Sequence, residues 1–413
     1  MESHLQARNP HQEETQARRW IRTAYLGYLT IGMVSTLFGP LLASVQQLLG
    51  LTHTQAGLLV TTQFAGSMAG NLAGGAASDR LGKGRVLAAA AVLVAAGALG
   101  VAAFEAYGLL LLAFAVLGLG SGGINGTANA LVSDLAGDRR ASALNRLNVY
   151  FSLGALLGPF LVARLFAAGV AGSTARAAAY GVLAGLGLLF GLGCLHEQLR
   201  PSEDSPEPFR APARAGAGLG ELARDLALWL MGAVLFTYVA LESSIATWWP
   251  AYLQERLGAS GRIGGDVVTA FFVGVVVGRS LTARLVERWG PLRTLQLEAA
   301  LAALAFPVAV LGQNLPVAAL VVVTGLVAAG IWGTTLALAA ERHPGQSGTV
   351  SGLLIAVGSL GSSLFPLWIG YTGDRWGLQA GFFTLELLLL VLVGIALLLG
   401  RKLHGRAVGR RDG

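Results

Sequence analysis

This sequence contains one cysteine, few charged residues and no recognisable cofactor motif. Its single cysteine, Cys194, excludes a disulfide within the chain, and its apolar surroundings predict a buried thiol. Only 12% of the residues are charged, against about a quarter in ordinary soluble domains. No group of histidines, cysteines and acids has metal-ligand spacing, and no phosphate loop ending in Gly-Lys-Ser/Thr occurs. We therefore expect no metal, no cofactor, no direct use of ATP and no enzymatic activity.

Hydrophobic residues take the place of the missing charge. They make up 54% of the sequence and recur in stretches of roughly 20 residues, each long enough to cross a hydrocarbon core of about 30 Å. Lipid cannot satisfy backbone polar groups, so such stretches must be helices. We predict an all-α membrane protein with about twelve transmembrane helices in two six-helix halves, each of inverted three-helix repeats. The first predicted span covers 20–48 and the tenth covers 316–340.

Polar segments divide this predicted bundle. Residues 196–223 are rich in proline, acid and arginine, which is typical of a loop between two domains. The start of the chain lacks the features of a cleavable signal peptide. The predicted organisation is a cytoplasmic tail 1–19, a first six-helix bundle 20–195, a cytoplasmic loop 196–223, a second six-helix bundle 224–400 and a cytoplasmic tail 401–413.

The net charge of +7 would suggest nucleic acid as a partner of a soluble protein, but the basic residues here lie in short loops, where they set orientation in the bilayer. One side of the bundle collects most of them, including Arg80, Lys83, Arg85, Arg139, Arg140, Arg288 and Arg342. The loops of the other side hold Arg176, Arg256, Arg262 and Arg375. We predict a multi-pass protein of a bacterial inner membrane with both termini in the cytoplasm and no nucleic-acid partner.

A short charged motif occurs three times after apolar, glycine-rich stretches, at 79–82, 287–290 and 374–377. The copies begin with Asp79-Arg80, Glu287-Arg288 and Asp374-Arg375, and each ends in glycine. The first two copies occupy matching places in the two halves and fall on the cytoplasmic side. The third falls on the opposite side, as inverted repeats require. The sequence therefore indicates a duplicated membrane bundle with charged groups at its mouths.

Residues 75–85 resemble the loop signature between helices two and three of the major facilitator superfamily. A degenerate second copy, 278–290, falls between spans eight and nine, and the resemblance covers nearly the whole chain. It implies a transporter that works by alternating access. Charge–dipole contacts from Asp79 and Glu287 to neighbouring helix ends would hold a cytoplasmic gate closed. The alternative is that these charges only end helices and set topology. The gating candidates are Asp79, Arg80, Arg85, Arg279, Glu287 and Arg288.

Four further stretches are similar to the fucose and glucose–proton symporters of that superfamily: 120–132, 143–159, 238–249 and 342–352. This similarity implies a hexose-like substrate. Proton-coupled members of the branch carry carboxylates in helices one and four. Here the first span has none, and Asn125 stands where the second acid aligns. Proton coupling through those positions is not expected, so uniport stays open.

Glu242 is the leading candidate for proton coupling, because an ionisable group in mid-span is costly and marks function by default. A structural hydrogen-bond anchor is the alternative. A sugar site needs amides and hydroxyls for ring hydroxyls and aromatic faces for ring C–H groups. The candidates for binding a sugar-like solute are Gln63, Asn125, Asn129, Asn148, Trp248, Trp249 and Trp332. Hydrogen bonding between helices would explain the same amides without a ligand.

Two other functions compete with a sugar transporter. Residues 154–159 partly resemble the helix-five signature of drug–proton antiporters, although Phe160-Leu161-Val162 follows where more glycine is expected. A drug pocket should be broad and apolar, whereas this sequence places amides on spans two, four and five. A membrane sensor without transport would require an attached signalling domain, and neither predicted tail is long enough to form one.

Overall fold

The computed structural model describes residues 10–136, 140–199, 222, 224–343 and 347–409, and regular structure within these ranges is helical. The helices are α1 (Pro10–Thr36), α2 (Phe38–Leu49), α3 (His53–Leu81), α4 (Lys83–Ala103), α5 (Tyr107–Leu135), α6 (Arg140–Ala167), α7 (Gly172–Leu199), α8 (Leu226–Leu257), α9 (Gly261–Trp289), α10 (Pro291–Leu311), α11 (Leu315–Ala318), α12 (Val321–Ala328), α13 (Ile331–Arg342), α14 (Ser347–Trp376) and α15 (Leu378–Gly409).

These helices confirm the predicted membrane architecture. In the described part of the chain, ten continuous or nearly continuous helical segments are long and apolar enough to span a bilayer, and the bent pair α1–α2 makes an eleventh. The remaining long helix, α3, has 29 residues and is rich in glycine and polar residues. Large apolar side chains such as Leu72, Leu304 and Leu387 are more than half exposed on the bundle surface, where lipid would cover them.

The first predicted span is broken rather than straight. The axis turns by 41° between α1 and α2, near Gly39-Pro40. Pro40 has no N–H to give to the carbonyl four residues earlier, at Thr36, so the helical hydrogen-bond ladder is interrupted there. Beside this interruption, the side-chain hydroxyl of Thr36 donates to the Ala155 carbonyl on α6 at 2.9 Å. The break therefore ties span one to a neighbouring helix.

The tenth predicted span is also interrupted, into α11, α12 and α13. The second interruption lies at Ala329-Gly330, where a side chain on Gly330 would overlap Glu298 of α10 and Thr282 of α9. Glu298 is buried and accepts a hydrogen bond from Thr282. Close packing of three helices around a buried carboxyl thus requires the glycine at this point.

Glycines also set the spacing between helices within the first half. α3 packs closely against α5. Side chains at Gly118 and Gly122 of α5 would overlap the backbone carbonyls of Gln63 and Ser67 on α3. The two helices therefore touch backbone to backbone, as small residues allow in membranes.

The two halves, α1–α7 and α8–α15, meet mainly along the helix pairs α3 with α14, α6 with α9, and α2 with α8. At the end of α3 that begins with His53, hydrogen bonds and close backbone contacts join the halves from His53 to Thr61. Towards the other end of this pair, near Leu81, a side chain added at Gly75 of α3 or at Gly352 of α14 would meet nothing within 4 Å. The bundle is thus sealed at its His53 end and parted at its Leu81 end.

Candidate functional site

A hydrogen-bonded set of polar side chains lies between α1 and α5. The Tyr28 hydroxyl donates to Asn125 Oδ1 at 2.7 Å, and Asn129 Nδ2 donates to the same oxygen at 3.0 Å. Four residues separate the two asparagines, so they share one face of α5, as the sequence predicts. Both asparagines are partly exposed.

The polar set continues towards the second half through α6. One turn before Tyr28, the ring of Tyr25 stacks on Tyr150 of α6, with ring centroids 4.4 Å apart. Two residues further along α6, the Ser152 hydroxyl accepts a hydrogen bond of 2.6 Å from Arg279 Nη1 on α9. Arg279 therefore joins the two halves near the middle of the bundle.

Glu242 and Tyr238 of α8 lie beside this arginine. The charges of Glu242 and Arg279 both act on the Tyr238 hydroxyl, although that buried hydroxyl has no hydrogen bond of normal geometry within the described residues. Glu242 and Arg279 are both half-buried. We call Tyr28, Asn125, Asn129, Ser152, Tyr238, Glu242 and Arg279 the central polar set. It contains a carboxyl group, a guanidinium, amides and hydroxyls, and both halves contribute to it.

The other predicted substrate residues lie in different surroundings. Gln63 is buried, and its amide donates to the Val34 carbonyl at 3.2 Å. Trp248 and Trp249 are completely buried. Trp248 donates to the Pro366 carbonyl at 2.8 Å, and Trp249 packs among other aromatic rings. In this conformation these three side chains hold helices together and offer no surface to a solute.

Asn148 and Trp332 keep contact with open space. Asn148 is exposed on α6, one turn before Ser152. Trp332 is half-buried on α13, and its ring would lie 3.5 Å from a side chain added at Gly358 of α14. Both therefore stay candidates for contact with a solute.

Most of the predicted gating residues stand apart from one another. Arg80, Arg85, Glu287 and Arg288 are exposed at the parted end, and none of them has an ion-pair partner in the described part of the chain. The side chain of Asp79 lies outside the described residues. Arg279 is distant from this group, because it belongs to the central polar set. The gating role of these residues therefore stays a prediction.

The sealed end carries a charged cluster that the sequence analysis did not assemble. The Asp374 carboxylate, at the end of α14, accepts from the backbone N–H groups of His53 at 2.7 Å and Thr54 at 2.8 Å. The imidazole of His53 then lies between two acids, with Nδ1 2.9 Å from Asp374 and Nε2 2.8 Å from Glu255 of α8. We call His53, Thr54, Glu255 and Asp374 the His53 cluster.

The His53 cluster satisfies the first turn of α3. Thr52 and Gln55 form a reciprocal capping box, and Asp374 takes the two N–H groups between them. A carboxylate at a helix N-terminus is also favoured by the helix dipole. The hydrogen bond to Glu255 and the negative charge of Glu255 raise the pKa of the His53 imidazole, and Asp374 adds a smaller effect in the same direction. Partial burial lowers this pKa but does not cancel the increase.

Some functional candidates were not found from the sequence. Asp374 stood out as a third motif copy, but its partner His53 is 321 residues away in the chain. Tyr28 and Ser152 carried no signal beyond their position in apolar spans. One sequence feature could have pointed to His53: it directly follows Thr52, a residue typical of a helix N-cap, at the start of a predicted span. The partnership with the third motif copy at 374–377 could not be read from the sequence.

Comparisons with known proteins agree with this architecture. The crystal structure of a D-xylose–proton symporter superposes with a TM-score of 0.75 at 18% identity, covering 92% of this chain and 97% of that one. At such identity the likeness establishes the fold alone. The chain is 26% identical over 363 residues to the gentisate transporter of Corynebacterium glutamicum, covering 85% of this chain and 79% of that protein.

A shorter match involves the sodium-dependent glucose transporter 1A of Mus musculus, at 28% identity over 137 residues. It spans 33% of this chain and only about a third, 32%, of the mouse protein. The family model of the Major Facilitator Superfamily matches far more, over residues 24–366 and again over 231–411. Together with the duplicated helical bundle, this match shows that the chain belongs to the Major Facilitator Superfamily, a family of transporters.

Proposed function

We propose that this chain is a secondary active transporter that moves a hexose-type sugar across the membrane by alternating access, with Glu242 as its proton-binding group. The observation that carries the proposal is the central polar set, to which both halves contribute and which lies between a sealed end and a parted end. The halves 20–195 and 224–400 are the units that rock against each other.

The parted end faces the cytoplasm in this proposal. It carries most of the basic residues of the described loops and helix ends, including Arg80, Lys83, Arg85, Arg284, Arg288, Arg293 and Arg342. The sealed end carries fewer, namely Arg164, Arg176, Arg256, Arg262 and Arg375. Basic residues concentrate on the cytoplasmic side of membrane proteins. Both termini then lie in the cytoplasm, and the structure is an inward-facing one.

The hydrogen-bonding capacity of α5 suits a polyhydroxylated solute. Asn125 Oδ1 already accepts from Tyr28 and Asn129, so the Asn125 amide N–H groups and the Asn129 carbonyl oxygen are left for a ligand. The half-buried Trp332 offers an aromatic face for ring C–H groups. The likeness to a D-xylose–proton symporter and to the mouse glucose transporter also supports a sugar as the substrate, at the level of the family.

Arg279 gives Glu242 a way to link proton binding to movement of the halves. An ionised Glu242 attracts the guanidinium of Arg279, and both groups interact with Tyr238. Protonation removes that attraction and leaves Arg279 to its bond with Ser152 of the first half. The proton state of Glu242 thus favours one arrangement of the halves over the other. The absence of an acid in span one leaves uniport as the alternative.

Arg279 also favours a second candidate substrate, an aromatic carboxylate. A half-buried guanidinium can bind a carboxylate with two parallel hydrogen bonds. The gentisate transporter of Corynebacterium glutamicum matches 85% of this chain, a longer match than that to the mouse glucose transporter. The polar side chains of the central polar set argue against the third candidate, a drug–proton antiporter.

Closure of the cytoplasmic end completes the proposed cycle. Asp79 and Glu287 begin the motif copies at the ends of α3 and α9, with Arg80, Arg85 and Arg288 nearby in the sequence. When the parted ends approach, these carboxylates can meet neighbouring helix N-termini. The exposure of Glu287 in the inward-facing structure agrees with a gate that is open on that side.

The test is uptake into proteoliposomes. Labelled glucose, fucose, mannose, xylose and gentisate are each measured with and without an inward proton gradient, and again with an inward sodium gradient. Gradient-stimulated sugar uptake is the expected result. Sugar uptake that ignores both gradients indicates a uniporter. Uptake of gentisate alone, lost in Arg279→Gln, replaces the sugar with an aromatic acid, and uptake of neither class contradicts both substrates.

A further inference from the structure

We propose that His53, Glu255 and Asp374 form an extracellular proton-binding site, and that the bound proton holds the outer end of the transporter closed. The site joins the halves directly, because His53 belongs to α3 of the first half, whereas Glu255 and Asp374 belong to α8 and α14 of the second. The proposal rests on the alternating-access orientation given above and is independent of the substrate.

The geometry requires a proton for all of its contacts. Nδ1 of His53 lies 2.9 Å from a carboxylate oxygen of Asp374, and Nε2 lies 2.8 Å from one of Glu255. A neutral imidazole has one N–H and one lone pair, so it can satisfy only one of these carboxylates and repels the other. The imidazolium donates to both. Both acids are acceptors, because ionised carboxylates have no hydrogen to donate.

No competing cation takes either acid in the described part of the chain. Arg256, next to Glu255, donates to the Gln379 side chain at 2.5 Å and lies over the Tyr252 ring. Arg375, next to Asp374, lies 4.3 Å from the centre of the Tyr371 ring. On the connection between α4 and α5, Glu105 is exposed. The facing segment of α2 carries no charged residue.

The surroundings couple this proton to the gate. His53 is only partly accessible and lies 5.6 Å from the Trp248 ring, which packs between α8 and α14. Separation of the halves at this end would pull the imidazole away from both carboxylates at once. The closed form therefore binds the proton more tightly than the open form. A group whose pKa is raised in one state stabilises that state at low pH and loses its effect as the pH rises through the raised pKa.

The test measures the outer end directly. Two exposed positions, Ala106 in the first half and Gln313 in the second, are changed to cysteine in a Cys194→Ser background and labelled with nitroxides. Electron–electron distances are recorded in lipid nanodiscs, without substrate, between about pH 5 and about pH 9, which brackets histidine titration. The ratio of short to long distances should fall with rising pH by up to about tenfold per pH unit, the limit for one linked proton.

Three variants distinguish this site from other titrating groups. His53→Gln should remove the pH dependence. Glu255→Gln should move its midpoint to lower pH, because one of the two carboxylates that favour the imidazolium is lost. His343→Gln is the matched control, since His343 lies beside Asp225 on the cytoplasmic side at 3.1 Å, and its titration curve should match that of the parent.

These measurements test the proton-binding role of His53 independently of which solute is transported. Distances that do not change with pH in the parent protein overturn the proposal, as does a pH response that persists in His53→Gln. If His53→Gln fails to fold, Glu255→Gln decides, because its carboxylate is nearly half exposed. An unmoved midpoint in that variant overturns the proposal. Failure of sugar uptake leaves all of these readings unaffected.

Discussion

Glu242 and Arg279 are the residues on which the proposed coupling depends. They lie on α8 and α9, and the Tyr238 hydroxyl is within reach of both charges. Neither residue is fully buried. A proton at Glu242 would change the balance of forces on the guanidinium that also holds Ser152 at 2.6 Å.

Replacement of the acid should separate coupling from binding. We expect Glu242→Gln to lose gradient-driven accumulation while exchange of labelled for unlabelled solute continues, because glutamine keeps the shape and cannot bind and release a proton. Proteoliposome uptake and counterflow measure the two activities. Glu105→Gln, at an exposed position on the α4–α5 connection, is the control and should behave like the parent. Accumulation unchanged in Glu242→Gln would remove Glu242 from the mechanism.

The polar residues show how far the sequence could predict the site. Glu242, Asn125 and Asn129 were found because polar groups in apolar spans are conspicuous, and all three are partly exposed in the structure. Their role stays a prediction. Gln63, Trp248 and Trp249 carry the same signal but pack against backbone carbonyls or rings. Composition does not distinguish these cases, because the face of a helix that meets another helix is decided by the whole bundle.

At the scale of elements, Asp225 connects two helices of the second half. It caps α8 by accepting from the Ala227 N–H at 3.0 Å, and Arg342 at the end of α13 donates to both of its carboxylate oxygens. The hydrogen bonds from Arg342 lower the pKa of Asp225 to about 2, against partial burial, which raises it. The resulting stabilisation is present above the unfolded pKa of about 3.9 and is lost as the pH falls through about 2.

The cap and the ion pair can be tested separately. At neutral pH we expect Asp225→Asn to cost about 1 kcal/mol, because the partly exposed pair is screened by water and asparagine still caps a helix. Asp225→Ala should cost about 1 kcal/mol more, because the cap is lost as well. Apparent melting temperatures in detergent compare the two. Equal losses would mean that the cap contributes nothing.

The glycine contacts make a second prediction about elements. Gly122→Ala should lower the apparent melting temperature by several degrees, because its methyl group would overlap the Ser67 carbonyl and force α3 and α5 apart. Gly75→Ala is the matched control, since nothing lies within 4 Å of an added side chain there. It should leave stability unchanged or raise it slightly. Equal effects of the two changes would contradict backbone contact between the helices.

Element boundaries show what the sequence could not supply. The spans follow from the length of the apolar stretches, and the structure confirms their overall number. The bend at Gly39-Pro40 and the interruption at Ala329-Gly330 were not predicted, although both contain helix-weakening residues. Pro159, Pro250, Pro307 and Pro366 lie inside helices that remain continuous. Whether a proline or glycine breaks a membrane helix depends on neighbouring helices that can satisfy the freed backbone groups.

At the scale of the whole molecule, closure at the sealed end depends on contact between the halves at Gly39. A side chain there would overlap the Ala246 carbonyl of α8. We expect Gly39→Ala to reduce transport at least about fivefold, because overpacking of about 1–3 kcal/mol disfavours the closed contact by a factor of about 5 to 140. Uptake in proteoliposomes measures the loss.

The control for this prediction is Gly181→Ala on α7, where an added side chain meets nothing within 4 Å. It should transport at the parent rate. Gly39→Ala should also keep an apparent melting temperature close to that of the parent, because packing within each half is untouched. A variant that transports normally would show that the halves need not approach at this point.

The helix pair α3–α14 runs the full height of the bundle, and its two members point in opposite directions. Asp374, at the end of α14, lies on the first turn of α3, while the motif copy that ends α3 lies at the opposite end of the pair, where α14 starts. Two stiff rods that touch at one end spread at the other, and tilting them to close the second end opens the first. One tilt of the pair opens one mouth of the bundle and closes the other, so both mouths are not open at once. The transporter can therefore prevent a continuous, ion-leaking pore without a separate lid.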